Sequence, residues 1–198
     1  GVTKTWNGNT STWTQDAEWT PYGVPCPDDD VIINTGICDL DISPDIKSLT
    51  INGGTLNNTG SFTIACPTTV STNAVLNIQS ATTLTLSDML ILDGLVEGYG
   101  TIDISTATIV GGYGKWAPGN SIGELTTKGM YNNEVIEMEI SGNGYAGGGT
   151  IELDKLNVTE EMNVDDDFVL KWLGGTVPPG TRTLMECQGA GCRMNEFS

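Results

Sequence analysis

The residues of this chain that could do chemistry are mostly carboxylates. Asp28, Asp29 and Asp30 stand in a row, with Asp39, Asp41 and Asp45 close behind. Calcium takes roughly six to eight oxygens, mostly from carboxylates and carbonyls. The Asp-x-Asp order at 39–41 suits such a site. Asp28, Asp29, Asp30, Asp39 and Asp41 are therefore the candidate calcium ligands, and calcium is the one cofactor the sequence suggests. The competing account is turn chemistry, because Asp in a turn bonds its own backbone. The same choice applies to Asp165, Asp166 and Asp167. No EF-hand loop and no glycine-aspartate repeat is present.

The chain has no histidine. A Ser–His or Cys–His nucleophile pair is excluded, and zinc has few ligands to use. Asp88, Asp93 and Asp103 are the best carboxylate set for glycan cleavage. Nothing in their spacing pairs them as an inverting or retaining enzyme requires. The only arginines, Arg182 and Arg193, lie near the C-terminus. The expectation is a protein without catalytic activity.

Trp6, Trp13 and Trp19 cluster near the N-terminus. Exposed indoles would stack on sugar rings. Buried ones would plug the open end of a repeat core, and the plug is the preferred account. Cys187 and Cys192 flank a flexible QGAG loop and could close into a disulfide. Cys26 and Cys38 flank a turn and a short strand and could do the same. Cys66 is either a buried small apolar residue or the partner of Cys38 in place of Cys26.

Twenty-five acidic and eight basic residues give a net charge of −17. Nucleic acid would be repelled, and so would anionic membrane surfaces. No apolar run is long enough for a membrane span.

The elements that must position these groups are short strands. Apolar residues alternate with period two at Leu49-x-Ile51, Leu76-x-Ile78, Leu84-x-Leu86 and Ile102-x-Ile104. No segment shows a sustained helical period. Residues 48 to 64, SLTINGGTLNNTGSFTI, look like residues 83 to 104, and each reads as successive strands around a coil. Asn52-Gly53 and Asp93-Gly94 fit the corners between faces of one coil. The prediction is a β-solenoid with little or no α-helix, with a β-sandwich as rival. Residues 1–30 read as a Trp-rich cap, 31–115 as rungs, and 116–198 as wider rungs or capping strands of the same domain. In APGNSIGELTTKG (117–129), Pro118-Gly119 predicts a corner, and Ile122 with Leu125 is expected to enter the core. Thr82-Thr83-x-Thr85 and Ser105-Thr106-x-Thr108 resemble the threonine ladders of ice-binding solenoids. They do not recur on every predicted rung, so ordinary outward threonines are preferred.

Three stretches carry a family resemblance. WNGNTSTWTQDAEWTPYGVPCPDDDVIINTG (6–36) resembles the start of many extracellular β-helix proteins, including the G8 type of domain. APGNSIGELTTKG is similar to the PGNSIG repeat of bacterial autotransporter passenger domains. The segment from Asp154 to Phe197 resembles the stretch C-terminal to that repeat in the same passenger domains. The resemblance implies a right-handed parallel β-helix, secreted or on a bacterial cell surface. No membrane β-barrel comes after it in this sequence, so a different secretion route is expected. The function expected is a non-catalytic structural or adhesive solenoid, either a stalk or the subunit of a surface fibre. Its expected partners are copies of itself, stacked head to tail, or surface glycans. A carbohydrate-binding module is the alternative, and a glycan-degrading enzyme the third reading.

Overall fold

The computed structural model describes residues 1–112, 114–119, 122–129, 135–142, 152–159, 162–164, 167–175, 185–188 and 192–194. The chain is a β-solenoid of about five turns. Among the described residues its one helical turn is the 3-10 segment Asp16–Glu18.

The strands run in the order β1 (Thr3–Trp6), β2 (Thr10–Thr12), β3 (Trp19–Thr20), β4 (Asp30–Ile33), β5 (Ile37–Leu40), β6 (Ser48–Asn58) and β7 (Phe62–Ile64). Then come β8 (Thr68–Ile78), β9 (Thr83–Leu86), β10 (Met89–Leu92), β11 (Leu95–Gly98), β12 (Thr101–Asp103), β13 (Thr108–Gly111), β14 (Lys115–Pro118) and β15 (Glu124–Lys128). The last are β16 (Val135–Gly142), β17 (Glu152–Leu153), β18 (Lys155–Val158), β19 (Met162–Val164), β20 (Asp167–Gly175), β21 (Met185–Cys187) and β22 (Cys192–Met194).

Parallel pairing sorts most of them into three walls. The first wall stacks β1, β4, the first halves of β6 and β8, then β10 and β13. The second stacks β2, β5, the second halves of β6 and β8, then β11, β14, β16 and β20. The third stacks β7, β9, β12, β15, β18 and β21.

Alternation decides what enters the core. In a strand successive side chains point to opposite faces. On the second wall Cys38, Leu56, Leu76, Val96, Trp116 and Ile136 are successive partners. All six are buried. Leu84 and Ile102 do the same on the third wall. Each fully buried aliphatic side chain contributes roughly 1.5–3 kcal/mol.

The corner expected at Asn52-Gly53 forms inside β6, where the ladder register shifts between Ile51 and Gly53. Gly54 turns it with a φ of 74°. A Cβ there would meet the Gly36 carbonyl oxygen at 2.6 Å, so no other residue fits. The two look-alike segments are real coils but out of phase. Residues of β6 pair in register with β8, as Leu56 with Leu76, and Phe62 with Leu84. The repeat of 48–64 is therefore the stretch from β8 into β9. The segment 83–104 begins on the third wall and ends there.

At Pro118-Gly119 the chain does turn. Gly119 has a φ of 78° and exchanges backbone hydrogen bonds with Gly98 at 2.7 and 3.2 Å. Leu125 is buried, but Ile122 is only half-buried, which corrects its expected place in the core. Asn120 and Ser121 lie outside the described residues. The coils widen toward the C-terminus. Val75, Leu95, Lys115 and Val135 are successive partners about twenty residues apart. The next partner of Val135 is Asp167.

Candidate functional site

The tryptophan cluster is a plug. Trp6, Trp13 and Trp19 are buried, with edge-to-face rings 5.0 Å (Trp6–Trp19) and 4.8 Å (Trp13–Trp19) apart. Trp19 Nε1 donates to the Trp13 carbonyl at 2.8 Å. β3 turns back antiparallel onto β1, pairing Trp6 with Trp19. Lys4 Nζ is drawn into the same cap by the carbonyls of Pro21, Tyr22 and Gly23, at 2.9–3.1 Å. No ring face is left open for a sugar, which corrects the stacking platform drawn from the sequence. The exclusion has a plain cause: three large apolar rings at an open core end are worth most when buried.

The five candidate calcium ligands do not converge. Asp29 is buried and accepts from the backbone N–H groups of Val2 (2.8 Å) and Cys26 (2.9 Å). Those amides, the Val2 bond first, hold its carboxyl below the usual range. Asp30 accepts from Ser48 Oγ at 2.6 Å and Lys47 Nζ at 2.9 Å. These bonds, Ser48 first, lower it too. Asp39 accepts from Asn57 Nδ2 at 2.7 Å. Asp41 accepts from the Thr14 hydroxyl at 2.5 Å and the Thr14 N–H at 3.2 Å. Asp28 is exposed. Neighbouring strand residues face opposite ways, and Asp30 and Asp39 belong to different walls. Among the described residues no group of three or more carboxylate or thiol side chains could hold a metal ion. The side chains of Asp165, Asp166 and Asp167 lie outside the described residues.

The Cys26–Cys38 bridge does not form, and Cys26, Cys38 and Cys66 are free. Alternation turns Cys38 into the core, while Cys26 stays exposed in its turn. Burial pushes the Cys38 thiol well above its ordinary value and the Cys66 thiol up to about 11. Neither is a thiolate at neutral pH. The Cys187–Cys192 pair includes the Cys192 side chain, which lies outside the described residues. Asp88, Asp93 and Asp103 also stay apart. Asp88 and Asp93 flank β10 on the first wall, and Asp103 ends β12 on the third. Asp103 accepts from Ser105 Oγ at 2.7 Å and faces Lys128 Nζ at 3.5 Å.

The charged cluster that the fold does assemble lies on the outer face of the second wall. A cleft of about 230 Å3 is lined by Glu97, Lys115, Glu137, Glu139, Asp154 and Lys171, among others. Register builds it. Lys115 sits beside Val135, two residues short of Glu137, and Lys171 sits beside Glu139. Lys115 Nζ reaches Glu137 Oε2 at 2.7 Å. Lys171 Nζ lies 2.8 Å from Glu139 Oε1 and 3.6 Å from Glu137 Oε1. The Lys115 bond, reinforced by Lys171, lowers the Glu137 carboxyl. Lys171 is raised in turn, first by its bond to Glu139. Burial raises Glu97.

Asp154 is fully buried at the back of this cleft. Its Oδ1 accepts from the Gly123 N–H at 2.7 Å, and its Oδ2 from the Glu139 N–H at 2.6 Å. Its own N–H donates to the Glu139 carbonyl at 2.9 Å. Burial lifts its pKa to about 6, against the pull of the two amides, and Glu139 and Glu137 add to the rise. One carboxyl raised beside one lowered is the pattern of an acid–base pair. Here both Asp154 oxygens are taken by backbone, and Glu137 is held between two lysines. The cluster works as a clip joining the second and third walls.

Sequence reasoning missed all six of these residues. They come from several coils, and only a correct coil phase brings Glu97, Lys115 and Glu137 to one face. No family model matches the chain, no curated protein matches it, and no solved structure matches it.

Proposed function

We propose that this chain is a non-catalytic structural or adhesive element, a rigid rod displayed outside the cell. One observation carries the reading: an unbroken inward column on the second wall, from Cys38 to Ile136, closed at its N-terminal end by the tryptophan plug. Stacked coils of this kind contact only their neighbours, and each interface between rungs adds to the stability of the stack. The state of the charged cleft points the same way, since Glu137, Glu139 and Asp154 are engaged by lysines and amides. The acidic surface keeps such a rod soluble.

Between a stalk and an end-stacked fibre, the cap favours the stalk. β3 already occupies the outer edge of β1, so that edge is closed to a second molecule. The test is a turnover assay on a panel of neutral and acidic polysaccharides, read as release of new chain ends. The rod reading expects none. Turnover by the wild type that disappears in Glu97→Gln or Asp154→Asn would overturn it.

A further inference from the structure

The outer face of the third wall carries an uncharged row. Thr83, Thr101 and Thr126 are successive partners, and Asn157 is next in register. Thr63 and Thr85 pair beside them. The threonine recurrence that the sequence hid is therefore present across rungs. A groove of about 400 Å3 runs along this row, lined by Ala81, Thr83, Tyr99, Thr101, Glu124 and Thr126, among others.

Tyr99 is 43% exposed at the groove. Its ring rests on backbone. A Cβ added to Gly123 would fall 2.4 Å from Tyr99 Cε1 and 2.7 Å from Gly119 Cα. The ring thus packs against Gly123 and offers its remaining surface to solvent. At the end of the row Asn157 donates through Nδ2 to Glu124. Its Oδ1 is buried and accepts no hydrogen bond.

We propose that this groove binds a neutral, extended β-1,4-linked polysaccharide. The apolar face of a sugar ring matches an exposed aromatic ring. The hydroxyls of Thr83, Thr101 and Thr126 both donate and accept, as sugar hydroxyls do, and the Glu124 carboxylate at the groove supplies an acceptor. Rungs repeat about every 4.8 Å, close to the advance of one sugar along such a chain, so successive sugars meet successive rungs. Threonine side chains are stiff at χ1, so little freedom is lost on binding. The net charge of −17 and the Glu124 carboxylate repel uronic-acid polymers.

The test is titration calorimetry of the full chain with cellohexaose, xylohexaose and hexagalacturonic acid. At least one neutral hexamer binds the wild type, and hexagalacturonic acid does not. Tyr99→Ala weakens that binding about tenfold. Thr101→Val, which keeps shape and fold, weakens it about threefold. Glu137→Gln, on the other wall, leaves it unchanged. No binding of either neutral hexamer overturns the proposal. So does wild-type affinity in both Tyr99→Ala and Thr101→Val, or tighter binding of hexagalacturonic acid.

Discussion

The second and third walls share the same coils, yet their outer faces solve opposite problems. The second wall turns out Lys115, Glu137, Glu139 and Lys171, which pair with one another, beside Glu97, whose carboxyl is raised by burial. The third turns out Thr83, Thr101 and Thr126 beside a tyrosine packed against Gly123. Charges on a sheet face must be paired, or shifted toward neutrality as Glu97 is, to be tolerated in a partly buried cleft. Hydroxyls need no such partner and stay available. The more conspicuous cluster of ionisable groups is thus the structural one. The plainer face is the one open to a ligand.

The sharpest way to break this contrast is at Asp154. Asp154→Ala strands the Gly123 and Glu139 amides, at roughly 1–3 kcal/mol each, against the relief of no longer burying a carboxyl. A net loss of about 2 kcal/mol is expected by denaturant titration at pH 7. A loss below about 0.5 kcal/mol would remove Asp154 as the clip between walls.

The pH dependence of the same groups sharpens the comparison further. The folded pKa of Asp154, about 6, lies above its ordinary 3.8. Between those values the folded chain holds a proton that the unfolded chain releases. The stability this proton confers is complete below the lower value and is lost as pH rises through about 6. Glu137 has the reverse sign, because its pKa is lowered from 4.5. Its contribution is present above that value and is lost as pH falls through the folded one. Thermal melts should show a decline between pH 4 and 7 that Asp154→Asn flattens. They should also show an acid-side loss that Glu137→Gln reduces. Identical profiles for wild type and Asp154→Asn would refute the assignment.

How much of this could be read in the chain beforehand depends on how local each feature is. Alternation within one strand is local, so Leu84-x-Leu86 and Ile102-x-Ile104 were legible as rungs, and the tryptophan plug was legible from three large rings at one end. The Pro118-Gly119 corner was legible from backbone chemistry alone. Coil phase is not local. The step from Val75 to Leu95 to Lys115 is regular, but the step from Val135 runs to Asp167, and no fixed period in the sequence spans both. The clip was invisible for that reason, because Gly123, Glu139 and Asp154 meet only once the register is known. The expected calcium site failed for a related one. Asp30 and Asp39 are near in sequence, but a corner and the alternation of side chains separate them.

A smaller effect is expected from the lysines of the cleft. Lys171→Met removes two contacts to Glu139 and Glu137, but its side chain is half exposed. Such exposed pairs contribute little, and salt screens them. The difference in melting temperature between wild type and variant should shrink on going from low salt to about 1 M. A gap that persists unchanged would mean that Lys171 acts through packing of its stem and not through charge.

The smallest stability effect belongs to the third wall, and it is the most telling. Thr101 points outward between Thr83 and Thr126. Thr101→Val keeps a β-branched side chain that suits the strand and removes only a hydroxyl at the groove. The change in stability should fall within about 0.5 kcal/mol of zero, measured beside Asp154→Ala in the same denaturant series. If the two substitutions cost the same, the threonine row is also part of the scaffold, and the division between a locked face and an open one fails. If Thr101→Val leaves the melt untouched while it weakens hexasaccharide binding, the hydroxyl is kept for contact and not for folding.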